Sequence, residues 1–159
     1  MPVEMQSEGT GESRSLAAFS SEPHLTFGPA AVWYTSPPGA VVQVLEPARG
    51  TVELSNWMVG VAFEELERRF PRRKGLLFVF DLALLTGRSH AARSVFLGRA
   101  REVSARFSEA WFVPPRTASA AQRHSTRASL MLLRALGVKI ELAESAAAAV
   151  RARGMSPMP

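Results

Sequence analysis

The side chains of this chain that are set for chemistry gather in one stretch. Asp81 ends an apolar run, and Ser89 follows with Arg88 and His90 beside it and Arg93 one helical turn on. A serine next to a histidine suggests a nucleophile and its base. Neighbours on a helix project in different directions, however, and the sequence places no carboxylate to orient the imidazole. A hydrolytic site needs several groups in mutual geometry, so the pattern speaks against a hydrolase. Two roles for Ser89 coexist. As the residue before a helix it caps the first turn, its oxygen accepting an exposed backbone N–H and contributing about 1 kcal/mol. As a phosphoacceptor it would carry a charge of about −2 at the positive end of that helix, beside Arg88 and Arg93. Asp81 either meets a partner or holds a loop amide, and a carboxylate at the end of a buried strand more often satisfies local backbone groups.

The elements that must position these residues show in the apolar spacing. Residues 76–82 read as a nearly continuous apolar strand, which implies a sheet covered on both faces. A short loop then leads to a helix opening at Ser89, along which Ala92, Phe96, Ala100, Val103 and Phe107 repeat on one face. Upstream, strand-like runs at 31–34 and 40–45 flank Ser36, Pro37, Pro38 and Gly39, whose dihedrals suit a hairpin turn. Residues 47–50 close that hairpin. From Thr51 the apolar positions Leu54, Trp57, Met58, Val61, Phe63, Leu66 and Phe70 predict a helix, stopped by Pro71 and turned at Gly75.

Residues 110–113 read as a strand ended by Pro114 and Pro115. Residues 119–136 read as a helix with Leu130, Leu133 and Leu136 inward and Gly137 as its cap. An alternating strand at 138–142 and an alanine-rich helix from Ser145 to Gly154 complete the order β-β-α-β-α-β-α-β-α. That order predicts an α/β fold: a mixed, mainly parallel sheet of about four to five strands, helices alternating along the chain, and an N-terminal hairpin. Residues 1–23, rich in Ser, Glu and Gly, read as a flexible arm; 24–153 form the single domain; 154–159 read as a loose tail.

With 159 residues and 47% apolar content the chain buries one ordinary core. Cysteine is absent, which removes disulfides, thiolate nucleophiles and Cys-based metal sites and fits a cytoplasmic location. The start lacks a signal peptide's basic and apolar regions, and the longest apolar run is interrupted by Asp81, so no membrane insertion is expected. His24, His90 and His124 are too scattered for a metal site. No glycine-rich phosphate loop follows a strand, and no cofactor is predicted. Trp33, Trp57 and Trp111 read as core or half-buried sheet residues.

Residues 77–93, together with the element order, resemble the STAS domain, the family of bacterial anti-sigma-factor antagonists and of sulfate-transporter cytoplasmic domains. The resemblance spans roughly residues 32–151. In that family an Asp-Ser-Ser-Gly-like motif sits where the third strand meets the second helix, and phosphorylation of one serine by a partner kinase releases the bound partner. Gly87, Arg88, Ser89 and His90 occupy that place here, with Ser89 in the role of the switch serine; the acidic residue, the second serine and the glycine of the pattern are missing. Residues 132–140 followed by 144–150 resemble the family's closing helix, strand and final helix. The resemblance implies a non-enzymatic protein–protein interaction domain in bacterial signalling or transcriptional control, with a kinase or an anti-sigma-like regulator as partner. Its contact surface would comprise Asp81, Thr86, Gly87, Arg88, His90 and Arg93.

The formal charge of +5 is supplied mostly by arginine, a side chain suited to bidentate contact with carboxylate or phosphate. Arg123, Arg127 and Arg134 fall on one helical face with Arg116 just before it, and Arg68, Arg69, Arg72, Arg73 and Lys74 form a second cluster. A solvated face is the ordinary role of such charges. The alternative reading is a basic nucleic-acid or anionic-surface binding module, whose affinity would fall steeply with salt. A third reading is a structural, self-assembling module in which the hairpin edge at 40–45 pairs with another copy.

Overall fold

A computed structural model describes residues 17–117 and 119–159 of the chain. Residues 1–16 of the expected arm lie outside the described residues. The first half runs β1 (Leu25–Phe27), β2 (Ala30–Ser36), β3 (Gly39–Val44), β4 (Ala48–Gly50), α1 (Val52–Asn56), a π-helical turn (Trp57–Val61) and α2 (Ala62–Arg69). The second half runs β5 (Leu76–Asp81), β6 (Leu85–Arg88), α3 (His90–Val103), β7 (Phe107–Val113), α4 (Ala120–Ala135), β8 (Lys139–Leu142), α5 (Ala146–Arg153) and β9 (Ser156–Pro157).

The main sheet is mixed, in the order β1-β2-β3-β5-β7-β8. The hairpin of β2 and β3 is antiparallel, and β3, β5, β7 and β8 are parallel. These include the five strands expected from the sequence; β1 and β9 add short antiparallel partners on β2. Close approach of β3 to β5 requires Gly39, where a Cβ would stand 1.9 Å from the carbonyl oxygen of Leu77.

Period-two alternation splits the strands between two apolar clusters. Val32 and Tyr34, Val42 and Val44, and Phe78 and Phe80 face the larger one, with Trp57, Leu66, Phe96 and Leu133 from the helical layer above. Trp33, Val41 and Val79 face the smaller one, closed by Ala146, Ala149 and Val150 of α5. The apolar run in β5 thus reflects burial on both faces. Phe80 sits at the centre of the larger cluster, in ring contact with Phe78, Phe96 and Phe112.

Several expectations need correction. The chain after Gly154 is not loose: β9 pairs with Thr35 and Ser36, Met155 is buried, and the Met158 N–H donates to the Tyr34 carbonyl. Residues 17–23 of the arm are also anchored. Phe19 packs edge-on against Trp33, the Ala18 N–H donates to Gln43, and the Trp33 indole donates to the Ser21 carbonyl. His24 ties the two ends together, its Nδ1 accepting from the Tyr34 N–H and its Nε2 lying 3.0 Å from the Met158 carbonyl oxygen. Phe107 opens β7 rather than closing α3, because a 3-10 turn over Ser104–Arg106 ends the helix first. Leu136 is exposed; only Leu130 and Leu133 of the expected trio point inward. The helix from Thr51 is continuous but carries the π-turn, which shifts its apolar face by a residue and was not visible as a break in spacing.

Candidate functional site

The site is built at the carboxyl ends of β5 and β7. Asp81 ends β5 with 1% exposure, and its carboxylate accepts from the Ala83 N–H at 3.1 Å and from the Gln43 side-chain amide at 2.9 Å. Asp81 therefore holds the loop that leaves the sheet. Its expected role in meeting a partner is overturned by its burial: no surface of the carboxylate is left to offer.

The loop it anchors is not a plain connection. The Leu82 N–H donates to the Val113 carbonyl and the Arg116 N–H to the Ala83 carbonyl, pinning the ends of β5 and β7 to each other. Residues 85–88, expected to form a loop, make the strand β6, which pairs in parallel with β4 as a separate two-stranded ribbon. Residues 47–50 thus do more than close the hairpin. Gly50 permits the contact, since a Cβ there would lie 2.6 Å from the Arg88 Cβ. Short polar sequences such as Leu85-Thr-Gly-Arg88 carry no periodicity of their own, and pairing between β4 and β6 is decided by tertiary proximity.

The ribbon delivers Ser89 to the start of α3. Its Oγ accepts from the Ala92 N–H at 3.1 Å with extended backbone angles, so the capping role read from the sequence holds. Ser89 is half-buried, Thr86 and His90 are exposed, and Gly87, Arg88 and Arg93 are intermediate. Arg93, one turn along α3, donates from Nε to the Ser129 hydroxyl at 3.0 Å and from Nη2 to the Ser125 carbonyl at 3.4 Å, clamping α3 to α4. Arg88 has no hydrogen-bond or ion-pair partner among the described residues. Partial burial draws its guanidinium below the ordinary arginine range, and the positive charge of Arg93 adds to that shift.

Between α3 and α4 these residues border a cavity of about 290 Å³. Its rim carries Arg88, Ser89, His90 and Arg93 from one side and Gln122, Ser125 and Thr126 from the other; Phe96, Phe112, Leu130 and Leu133 line its apolar wall. Gln122 and Ser119 form a capping box that fixes the first turn of α4 beside the rim. The α4 residues Gln122, Ser125, Thr126 and Ser129 were missed from the sequence. The signal was present, because Ser125 and Ser129 lie eight and four residues before Leu133, and Thr126 four residues before Leu130, which puts them on the inward side of α4.

The basic stripe does not join this site as a unit. Arg116, Arg123, Arg127 and Arg134 are all exposed, and Arg134 donates to the Ile140 carbonyl at 3.2 Å. The cluster from Arg68 to Lys74 lies before the amino end of β5, whereas Arg116 follows the carboxyl end of β7, so Arg116 and that cluster flank opposite ends of the parallel strands, while Arg134, beside the start of β8, lies toward the amino ends. Within the first cluster Arg68 and Arg69 both pair with Glu65. Among the described residues no three His, Asp or Glu side chains converge on a common point, and no helix is long and apolar enough to cross a membrane.

No family model matches the chain, and no curated protein is similar to it. Among solved structures the chain is similar to an uncharacterized protein of the DUF3478 family with a SpoIIAA-like fold from Shewanella loihica PV-4. The likeness has a TM-score of 0.50 at 13% identity and covers 73% of this chain and 85% of that one. At that identity the likeness is one of fold. The chain has a SpoIIAA-like α/β fold, in keeping with the STAS-like element order read from the sequence.

Proposed function

We propose that this chain is a non-enzymatic protein–protein interaction domain of the anti-sigma-factor-antagonist type, with the edge formed by β6 and the start of α3 as its contact surface and Ser89 as a phosphorylation switch. One observation carries the reading: Ser89 caps α3 at the carboxyl edge of the sheet, lining the same cavity as Arg88 and Arg93, with the exposed Thr86 and His90 close by in the chain. A phosphate on Ser89 would sit at the positive end of a 14-residue helix with Arg88 and Arg93 as counter-charges. The partner surface comprises Thr86, Gly87, Arg88, His90 and Arg93; Asp81 supports it from beneath. A partner kinase or an anti-sigma-like regulator in the bacterial cytoplasm fits this surface.

Mass spectrometry of the protein purified from its native cell should find phosphate on Ser89. In pull-downs from the same cells Ser89→Asp should lose a partner that Ser89→Ala retains. Equal capture by both variants removes the switch and leaves the fold untouched.

A further inference from the structure

The cavity between α3 and α4 combines features that the partner reading does not require. Arg88 is a partly buried cation with no hydrogen-bond or ion-pair partner among the described residues, and no Asp or Glu lines the cavity it borders. Removing part of a guanidinium's hydration without supplying a counter-charge is unfavourable, and proteins ordinarily pair such a group. Arg93 stands close by and is already fixed in place by Ser125 and Ser129, so its charge reinforces the positive field at the rim without being neutralised by those contacts. The start of α3 adds further positive character on the same side.

The opposite wall has another chemistry. Phe96, Phe112, Leu130 and Leu133 are at most 6% exposed, and water held against such side chains finds few hydrogen-bond partners. A cavity of about 290 Å³ lies at the small end of the range for small-molecule sites. Its position beyond the carboxyl ends of parallel strands is where open α/β sheets bind ligands.

We propose that this cavity is a binding site for a small amphipathic carboxylic acid. The carboxylate is held by Arg88 and Arg93 at the rim, and a short aliphatic or aromatic body packs on Phe96, Phe112 and Leu130. The planar guanidinium of Arg88 matches a carboxylate in bidentate fashion, and Ser89 and Gln122 border the same space. The proposal needs neither a protein partner nor phosphorylation. A phosphate on Ser89 would compete for the same two arginines.

The test uses the purified, unphosphorylated full chain with sodium octanoate, 1-octanol and inorganic phosphate as separate probes, read by calorimetry and by amide chemical shifts. Octanoate should saturate one site, shift residues of α3 and α4 around the cavity, and bind at least about tenfold more tightly than octanol or phosphate, a difference of about 1.4 kcal/mol. Arg88→Met should lower octanoate affinity by about tenfold or more while leaving the spectrum of the rest of the fold intact. Ser89→Asp keeps a good helix cap and places a carboxylate beside the arginines, so it too should weaken octanoate. Equal binding of octanol would overturn the charged half of the proposal, and equal binding of phosphate the apolar half. No saturable octanoate shift, or unchanged affinity in Arg88→Met, would overturn it altogether. None of these results bears on the partner pull-down, which reads Ser89 in cells.

Discussion

The two ends of the parallel strands treat their charges in opposite ways. At the end where β5 and β7 begin, Arg106 pairs with Glu67 and donates to the carbonyls of Phe70 and Arg73, and Arg153 and Lys139 converge on the buried Glu109. Tyr34 at the same end donates its hydroxyl to the Ala62 carbonyl at 2.6 Å, with the Arg69 guanidinium 4.8 Å above its ring. At the end where β5 and β7 finish, Asp81 is consumed in holding a loop, but Arg88 faces a cavity with nothing to neutralise it among the described residues. These paired charges at the first end close the structure on itself. The unbalanced cation at the second end marks the place where something else must be met.

The sharpest test of this contrast within the carboxyl end is Asp81→Ala. It strips acceptors from the Ala83 N–H and the Gln43 amide in a buried setting, and should cost about 3 kcal/mol in urea unfolding. If the loss is below about 1 kcal/mol, Asp81 does not anchor the loop in the way described.

Next comes Arg106→Ala at the opposite end. Losing a partly exposed ion pair and two charge-assisted bonds to carbonyls should cost about 2 kcal/mol, with octanoate affinity unchanged. Ser89→Ala should cost about 1 kcal/mol through the lost cap. Ser89→Asp should recover most of that, because aspartate caps as well as serine. Arg88→Met should move stability by less than about 0.5 kcal/mol, or raise it, because a partly desolvated cation without a partner contributes no net attraction. A loss in Arg88→Met as large as that in Arg106→Ala would erase the distinction between the two ends.

The smallest effect near neutral pH belongs to Tyr34. Burial, reinforced by Glu65, raises its phenol above the ordinary tyrosine range, against weaker opposing pulls from Arg69 and Arg68. The folded state therefore keeps the proton at pH values where the unfolded chain releases it. Stability from this group is fully present below the unfolded value of about 10 and falls as pH rises above it. Tyr34 is the sole tyrosine of the chain, so tyrosinate absorbance reads it alone. In the folded protein that absorbance should appear well above pH 10, and on unfolding it should move back to about 10.

Much of this molecule was legible along the chain. Apolar spacing and composition gave the hairpin, the buried strand ending at Asp81, and the helices that open at Ser89, Ser119 and Ser145, because such patterns are properties of neighbouring residues; the structure adds that all three serines are caps. The loop-holding role of Asp81 was likewise legible, since a carboxylate at a buried strand end has few other uses. The ribbon of β4 and β6 was not. Neither segment has a periodic face, and each is ordered only because the fold brings the other alongside. The seven residues before His24 and the strand β9 were misread for the same reason: their composition suggests disorder, yet each is held by contacts to β2 from a distant part of the chain.

The sequence by itself therefore determined the helices and the strands of the parallel core, their order, and the identity of the charged and hydroxyl groups near Ser89, all of which depend on local spacing and side-chain chemistry. Only the tertiary structure decided that Arg88 is left without a counter-charge while Arg106 is fully engaged, and that serines of α4 and an apolar wall stand opposite Ser89. Which charges find partners is a matter of distances between segments far apart in the chain, and no local pattern encodes them.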